Sequence, residues 1–190
     1  MLKDLAIDRA GDSPASAPSS APTAAELFRE HGAFAWRLLR RLGVAESDAD
    51  DACQEVFVAV HRRLPQFEGR SSTQTWVYGI CVRVASDQRK RSLARREALP
   101  ERLPERAVAA HQEDDLALRE ARELLDRLLD GLDDNKRAVF VLYEIEELPM
   151  KEVAVALGCP LQTAYSRLHA ARSEIDAALG RLRAKEGLHE

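Results

Sequence analysis

The chain is 190 residues long, room for one ordinary domain or two small ones and too short for a large multi-domain enzyme. A hydrophobic content of 45% supports a buried core, while 32% charged and 5% aromatic residues fit a soluble helical protein and exclude collagen-like and membrane-embedded classes. The formal net charge of -4 is unevenly spread, with 11 basic against 5 acidic residues over 62–106 and 5 against 12 over 113–147. The average therefore hides a basic block dense enough to attract phosphates, and it does not exclude nucleic acid. Cys53, Cys81 and Cys159 are widely spaced and odd in number; they outline neither a disulfide framework nor a CxxC metal knuckle, and a reducing, cytoplasmic setting is expected. No apolar run approaches the ~20 residues of a membrane helix, and the N-terminus has no secretory apolar core, so no direct membrane insertion is expected.

Residues 1–22 are rich in Ala, Ser and Pro, with Pro14, Pro18 and Pro22, and are expected to form a disordered tail. Thr23-Ala-Ala-Glu26 is a capping-box pattern opening a helix that places Leu27, Phe28, Phe34, Leu38, Leu39 and Leu42 at helical spacing up to Gly43. Ser47 is expected to start the next helix in the same way. Its stripe is Ala49, Ala52, Cys53, Val56, Phe57, Val60 and Leu64, which leaves Asp50, Asp51, Gln54 and Glu55 towards solvent until Pro65 ends the helix. After a loop through Ser72, a third helix should bury Trp76, Val77, Ile80, Cys81 and Val84 and turn Arg83, Asp87, Lys90 and Arg91 outward.

Pro100, Pro104 and alternating charges mark residues 97–112 as a flexible linker. From about Glu113 a helix carries Leu116, Ala121, Leu124, Leu125, Leu128, Leu129 and Leu132, and Asp133 can cap another that buries Val139, Phe140, Leu142 and Tyr143. A short helix from Met150 to Leu157, the turn Gly158-Cys159-Pro160 and a longer helix then make helix-turn-helix punctuation. The expected fold is all-α: two small helical domains over 23–96 and 113–184, the second ending in a helix-turn-helix, with a tail at 185–190.

With Ala164 at the centre of the buried face, Gln162, Ser166, His169 and Ser173 lie opposite it and Tyr165 and Arg172 flank them. Amide, hydroxyl, imidazole and guanidinium groups on one helix face can match base edges and phosphates in a major groove. A plain structural hairpin uses the same punctuation, so this feature alone leaves the question open.

Four stretches in order resemble a known family, the extracytoplasmic-function sigma factors of bacterial RNA polymerase. Asp48-Ala-Asp-Asp-Ala-Cys-Gln-Glu-Val-Phe57 is similar to the family's region 2.2, Thr75-Trp-Val-Tyr-Gly-Ile80 to region 2.3 and Ser86-Asp-Gln-Arg-Lys-Arg91 to the basic end of region 2.4. Residues 158–172, with the core Ser166-Arg-Leu-His169, resemble the region 4.2 recognition helix. The resemblance covers about residues 24 to 182.

It implies a subunit that binds core RNA polymerase and directs promoter-specific initiation, melting the minus-ten element and reading the minus-35 element of promoter DNA as duplex. Asp50, Asp51, Gln54 and Glu55 would meet the polymerase clamp. Phe67, Gly69, Ser71, Ser72, Thr73 and Trp76 fall where the family grips an unstacked minus-ten base, with Arg83, Arg89, Lys90 and Arg91 on the backbone. Trp76 lies on the apolar stripe, which makes Phe67 the better candidate for base contact. Gln162, Thr163, Tyr165, Ser166, Arg167, His169 and Arg172 would read minus-35 DNA. Relatives often carry a basic residue in place of Tyr165 and of Ala170, and Asn in place of Arg83. The family also implies an anti-sigma factor as a further partner.

Enzyme chemistry has no foothold. His31, His61, His111, His169 and His189 share no metalloenzyme spacing, and no phosphate-cradling GxxxxGK[ST] loop occurs; no cofactor or metal is expected. A stand-alone helix-turn-helix regulator is the alternative. It would bind duplex DNA unaided, where a sigma factor opens promoters only with core polymerase.

Overall fold

The computed structural model describes residues 22–98 and 116–186; all but the last residue of the expected N-terminal tail, most of the expected linker and residues 187–190 lie outside them. Seven α-helices are described: α1 (Ala24–Arg41), α2 (Glu46–Arg63), α3 (Thr73–Ala98), α4 (Leu116–Asp130), α5 (Asp134–Phe140), α6 (Met150–Leu157) and α7 (Leu161–Glu186). A 3-10 turn at Leu64–Gln66 follows α2, a π-helical turn at Val141–Ile145 extends α5, and no strand occurs among the described residues.

The Thr23 cap forms as the sequence predicts. Its hydroxyl accepts from the Glu26 N–H at 3.2 Å, and the Glu26 carboxylate accepts from the Thr23 N–H at 2.7 Å. Ser47 does not cap α2: the cap position is Ala45, whose methyl group cannot accept a hydrogen bond, and Ser47 sits inside the first turn. Packing sets this start instead. Val44 is 3% exposed and its N–H donates to the Leu39 carbonyl at 3.1 Å, which turns the chain early and leaves Glu46 and Asp48 at the positive end of the helix.

Helices α1, α2 and α3 close round a core of Leu27, Leu38, Leu39, Val56, Val60, Val77 and Ile80, with Phe34 stacked on Tyr78 at 4.5 Å. The single stripe expected for α3 is too narrow. Trp76 and Val84 are half-buried, while Thr75, Tyr78, Ala85 and Gln88 are buried as well. The helix is covered on two sides, by α1 and α2 and by α6 of the C-terminal half, so apolar spacing on one face underestimates its burial.

In the C-terminal half Asp133 caps α5 by accepting from the Lys136 N–H at 2.9 Å. Phe140 and Tyr143 were expected inside but are half-buried, while Val141 is fully buried; the π turn adds a residue to the ring and rotates the register. Ala121, expected on the α4 stripe, is exposed. Gly158 ends α6 at φ 61°, a left-handed conformation that favours glycine. Val153 and Ala154 then lie buried with Ala164, Leu168 and Ala171 of α7 in one core. That core is continuous through both halves of the molecule.

Candidate nucleic-acid and partner interfaces

The outer face of α2 carries the predicted acidic group. Asp50, Asp51 and Gln54 are exposed and Glu55 is half-buried, beside Val58 (48% exposed), Arg62 and Arg63, which line one shallow groove with Asp51, Gln54 and Glu55. Two of the carboxylates are already held. Trp36 on α1 donates its indole N–H to Asp50 at 2.9 Å. Arg91 on α3 grips Glu55 with two bonds of 2.9 Å, and Gln88 adds a third at 3.2 Å. The Arg91 hydrogen bond holds the Glu55 carboxyl below its ordinary range, and the same bond raises Arg91. Trp36, Val58 and Arg62 were not singled out from sequence; one signal was available, since a tryptophan beside an apolar stripe usually finds a polar partner for its N–H when it is covered.

The second surface is the loop before α3 and the length of that helix. Phe67 and Trp76, both half-buried, lie 5.0 Å apart with planes tilted by 42°, so the two aromatic candidates form one pair. Gly69 and Ser72 are exposed, and Ser71 and Thr73 half-buried. Ser72 accepts from the Thr75 N–H at 3.0 Å and shares a hydrogen bond with the Thr75 hydroxyl, which makes it the cap of α3. Arg83 and Lys90 are exposed, whereas Arg91 is paired with Glu55. Arg89 lies 3.2 Å from Asp134 of the C-terminal half, at ion-pair distance but without hydrogen-bond alignment at that nitrogen. The positive block is thus partly neutralised within the molecule.

The third surface is the first turns of α7. Gln162, Tyr165, Ser166, His169 and Arg172 are exposed together, and Thr163 and Arg167 are half-buried, as the helical-wheel placement predicts. Ser166 donates to the Gln162 carbonyl at 3.0 Å. Arg172 is pinned at one edge of this face: its Nε donates to Glu144 at 2.6 Å, and its guanidinium stands 5.8 Å from the Tyr143 ring centre.

Among the described residues no group of His, Cys, Asp or Glu is placed to hold a metal ion, and no helix is long and apolar enough to cross a membrane. All three cysteines are free thiols. Burial pushes the Cys53 and Cys81 thiols up, Cys81 far beyond its ordinary value, so neither ionises readily.

Two family models match, one described as sigma-70 region 2 over residues 27–96 and one as sigma-70 region 4 over residues 122–185. Together they cover more than two thirds of the chain. The ECF RNA polymerase sigma factor SigE of Mycolicibacterium smegmatis is 33% identical over 153 residues, 79% of this chain. The ECF RNA polymerase sigma-E factor of Escherichia coli is 29% identical over 146 residues, 70% of this chain. The chain spans 59% of the length of the first and 74% of the second. Among solved structures, CnrH in complex with the cytosolic domain of CnrY is similar at a TM-score of 0.61 and 26% identity, over 83% of this chain and 88% of that one. The sigma factor RpoE bound to the anti-sigma factor NepR, from Bartonella quintana, shares the fold at a TM-score of 0.64 and 19% identity, over 80% of this chain and 94% of that one. With a three-helix unit matched as region 2 ahead of a helix-turn-helix matched as region 4, and a relative of that group 33% identical over 79% of the chain, the chain belongs to the sigma-70 family, in its extracytoplasmic-function group.

Proposed function

We propose that this chain is a promoter-specificity subunit of RNA polymerase, with a polymerase-binding and minus-ten domain over 23–96, a linker over 97–112 and a minus-35 domain over 113–184. The observation that carries it is the exposure of one polar α7 face, Gln162 to Arg172, on a hairpin turned by Gly158, behind an N-terminal half matched as sigma region 2. A stand-alone regulator needs no such half.

On α2, Asp50, Asp51, Gln54 and Glu55 form the polymerase contact, with Trp36 fixing the Asp50 rotamer. Phe67 and Trp76 act as one aromatic platform for an unstacked minus-ten base, flanked by the polar loop atoms of Gly69, Ser71 and Thr73. Ser72 serves the fold first. Arg83, Arg89, Lys90 and Arg91 track the backbone of the opened strand. Gln162, Thr163, Tyr165, Ser166, Arg167 and His169 face the minus-35 duplex, and Arg172 acts on phosphate at the rim. The chain is non-catalytic, works where core polymerase works, in the cytoplasm, and answers to an anti-sigma factor, as the CnrH and RpoE complexes illustrate for those proteins.

The test is co-purification of the chain with core polymerase, followed by run-off transcription on genomic fragments. Transcripts that start only when chain and core are both present are expected. Retention on duplex DNA without core, and no transcript with it, would establish the regulator instead.

A further inference from the structure

Arginine has a long side chain, and one left loose at a binding surface must be immobilised when its ligand arrives, at a cost of about two- to tenfold in affinity. Arg172, at the edge of the exposed α7 face, is not loose. Its Nε donates to Glu144 Oε1 at 2.6 Å, and its Nη2 stands 2.5 Å from the same oxygen. One edge of the planar guanidinium therefore converges on a single carboxylate atom. The Tyr143 ring backs the group, its centre 5.8 Å from the guanidinium carbon, within cation–π range. Nη1, at the other end of the fork, has no hydrogen bond or ion pair among the described residues, and the side chain is 51% exposed. The five N–H donors of a guanidinium lie in one rigid plane, so fixing one edge fixes where the remaining donors point.

Tyr143 and Glu144 are consecutive residues of the π-helical turn Val141–Ile145, and α5, which that turn extends, packs against α7. Turns of this kind recur at functional sites. The pair stabilises the fold little, because an ion pair this exposed is screened by water and salt. A carboxylate beside a phosphate-binding arginine either competes with the phosphate or aims the guanidinium at it. Competition would occupy the donors a phosphate needs, whereas Glu144 takes Nε and Nη2 and leaves Nη1 available. We propose that Glu144 is a positioning residue for minus-35 recognition: with Tyr143 as backing, it holds the Arg172 guanidinium in the orientation that meets a backbone phosphate. A phosphate contact fixes the register of a recognition helix on the duplex without reading sequence. The inference deepens the assignment of α7 to minus-35 DNA and rests on it.

Holoenzyme assembled from the full chain and core polymerase, titrated onto a fluorescent promoter fragment that supports run-off transcription, reads the effect at several salt concentrations. Arg172→Ala should weaken binding and lower the slope of log affinity against log salt by about one. Glu144→Ala frees the guanidinium and should weaken binding about threefold, by the same factor on promoters of different sequence. Glu144→Gln keeps an acceptor oxygen in place and should recover most of that loss. In the Arg172→Ala background Glu144→Ala should be silent, since its whole effect passes through Arg172. Tighter binding by Glu144→Ala would make Glu144 a competitor of phosphate, and unchanged binding would leave it no role; either overturns the proposal. So does a loss that persists in the Arg172→Ala background, which a merely structural Glu144 would produce, or a Glu144→Gln no better than Glu144→Ala. Wild-type holoenzyme that ignores the fragment, or an Arg172→Ala variant identical to wild type, is a different failure: it overturns the minus-35 assignment, and the positioning role falls with it.

Discussion

Gly158 holds φ at 61° with no atom within 4 Å of where a Cβ would stand. Replacement by alanine therefore meets no clash, and its whole cost is the left-handed backbone, about 1–2 kcal/mol. Chemical denaturation of Gly158→Ala should show that loss with an unchanged denaturant slope, since the turn alters no buried area. This position was legible in sequence because Gly, Cys and Pro follow a short apolar helix, and only one backbone geometry returns the chain on itself. Ser47 was misread for the converse reason. A serine ahead of an apolar run is a local signal, and burial of Val44 three residues earlier outweighs it. The side chains on α7 were placed correctly from angular position alone, because a helix buried on one face leaves no freedom over which residues point away.

At the scale of elements, α2 and α3 are tied by Glu55 and Arg91, whose side chains are 41% and 53% exposed. A double-mutant cycle on Glu55→Gln and Arg91→Gln should give a coupling below about 1 kcal/mol, shrinking further as salt is raised. Arg91 holds the Glu55 carboxyl below its unfolded value, so the coupling is complete above that unfolded value, near pH 4.3. It disappears as the pH falls through the lower folded value. A coupling that grew in acid would contradict the pairing. The periodicity of α2 and α7 gave their buried faces closely, since each has one, whereas on α1 Phe28, expected on the stripe, is 52% exposed and meets Phe57 in an edge contact at 4.9 Å. Helix α3 has two covered sides, and the π turn after α5 shifts the register by an inserted residue. Neither departure is written in apolar spacing: the first depends on a partner distant in sequence, and the second on a five-residue backbone hydrogen bond, from the Glu146 N–H to the Val141 carbonyl at 3.0 Å.

For the whole molecule, the split between 11 basic residues over 62–106 and 12 acidic residues over 113–147 was visible in sequence, but its meaning was not. Charge blocks read along a chain suggest partners outside it. In the folded chain part of each block serves the other, through Arg89 and Asp134. Lys90 is exposed at the basic end of α3, and its replacement by alanine should weaken polymerase-dependent promoter binding on every sequence alike. The slope of log affinity against log salt should fall by about one unit; a change confined to one promoter sequence would instead make Lys90 a base reader.

The two tryptophans of the chain stand on different working surfaces. Trp36 is hydrogen-bonded to Asp50 on the face of α2 proposed to meet polymerase, and Trp76 lies against Phe67 beside the loop proposed to hold the minus-ten base. Each indole is half-buried, so its emission responds when a neighbour arrives or leaves. The protein therefore carries an optical probe of each encounter, and single Trp→Phe variants would resolve in real time whether docking on polymerase precedes capture of the base.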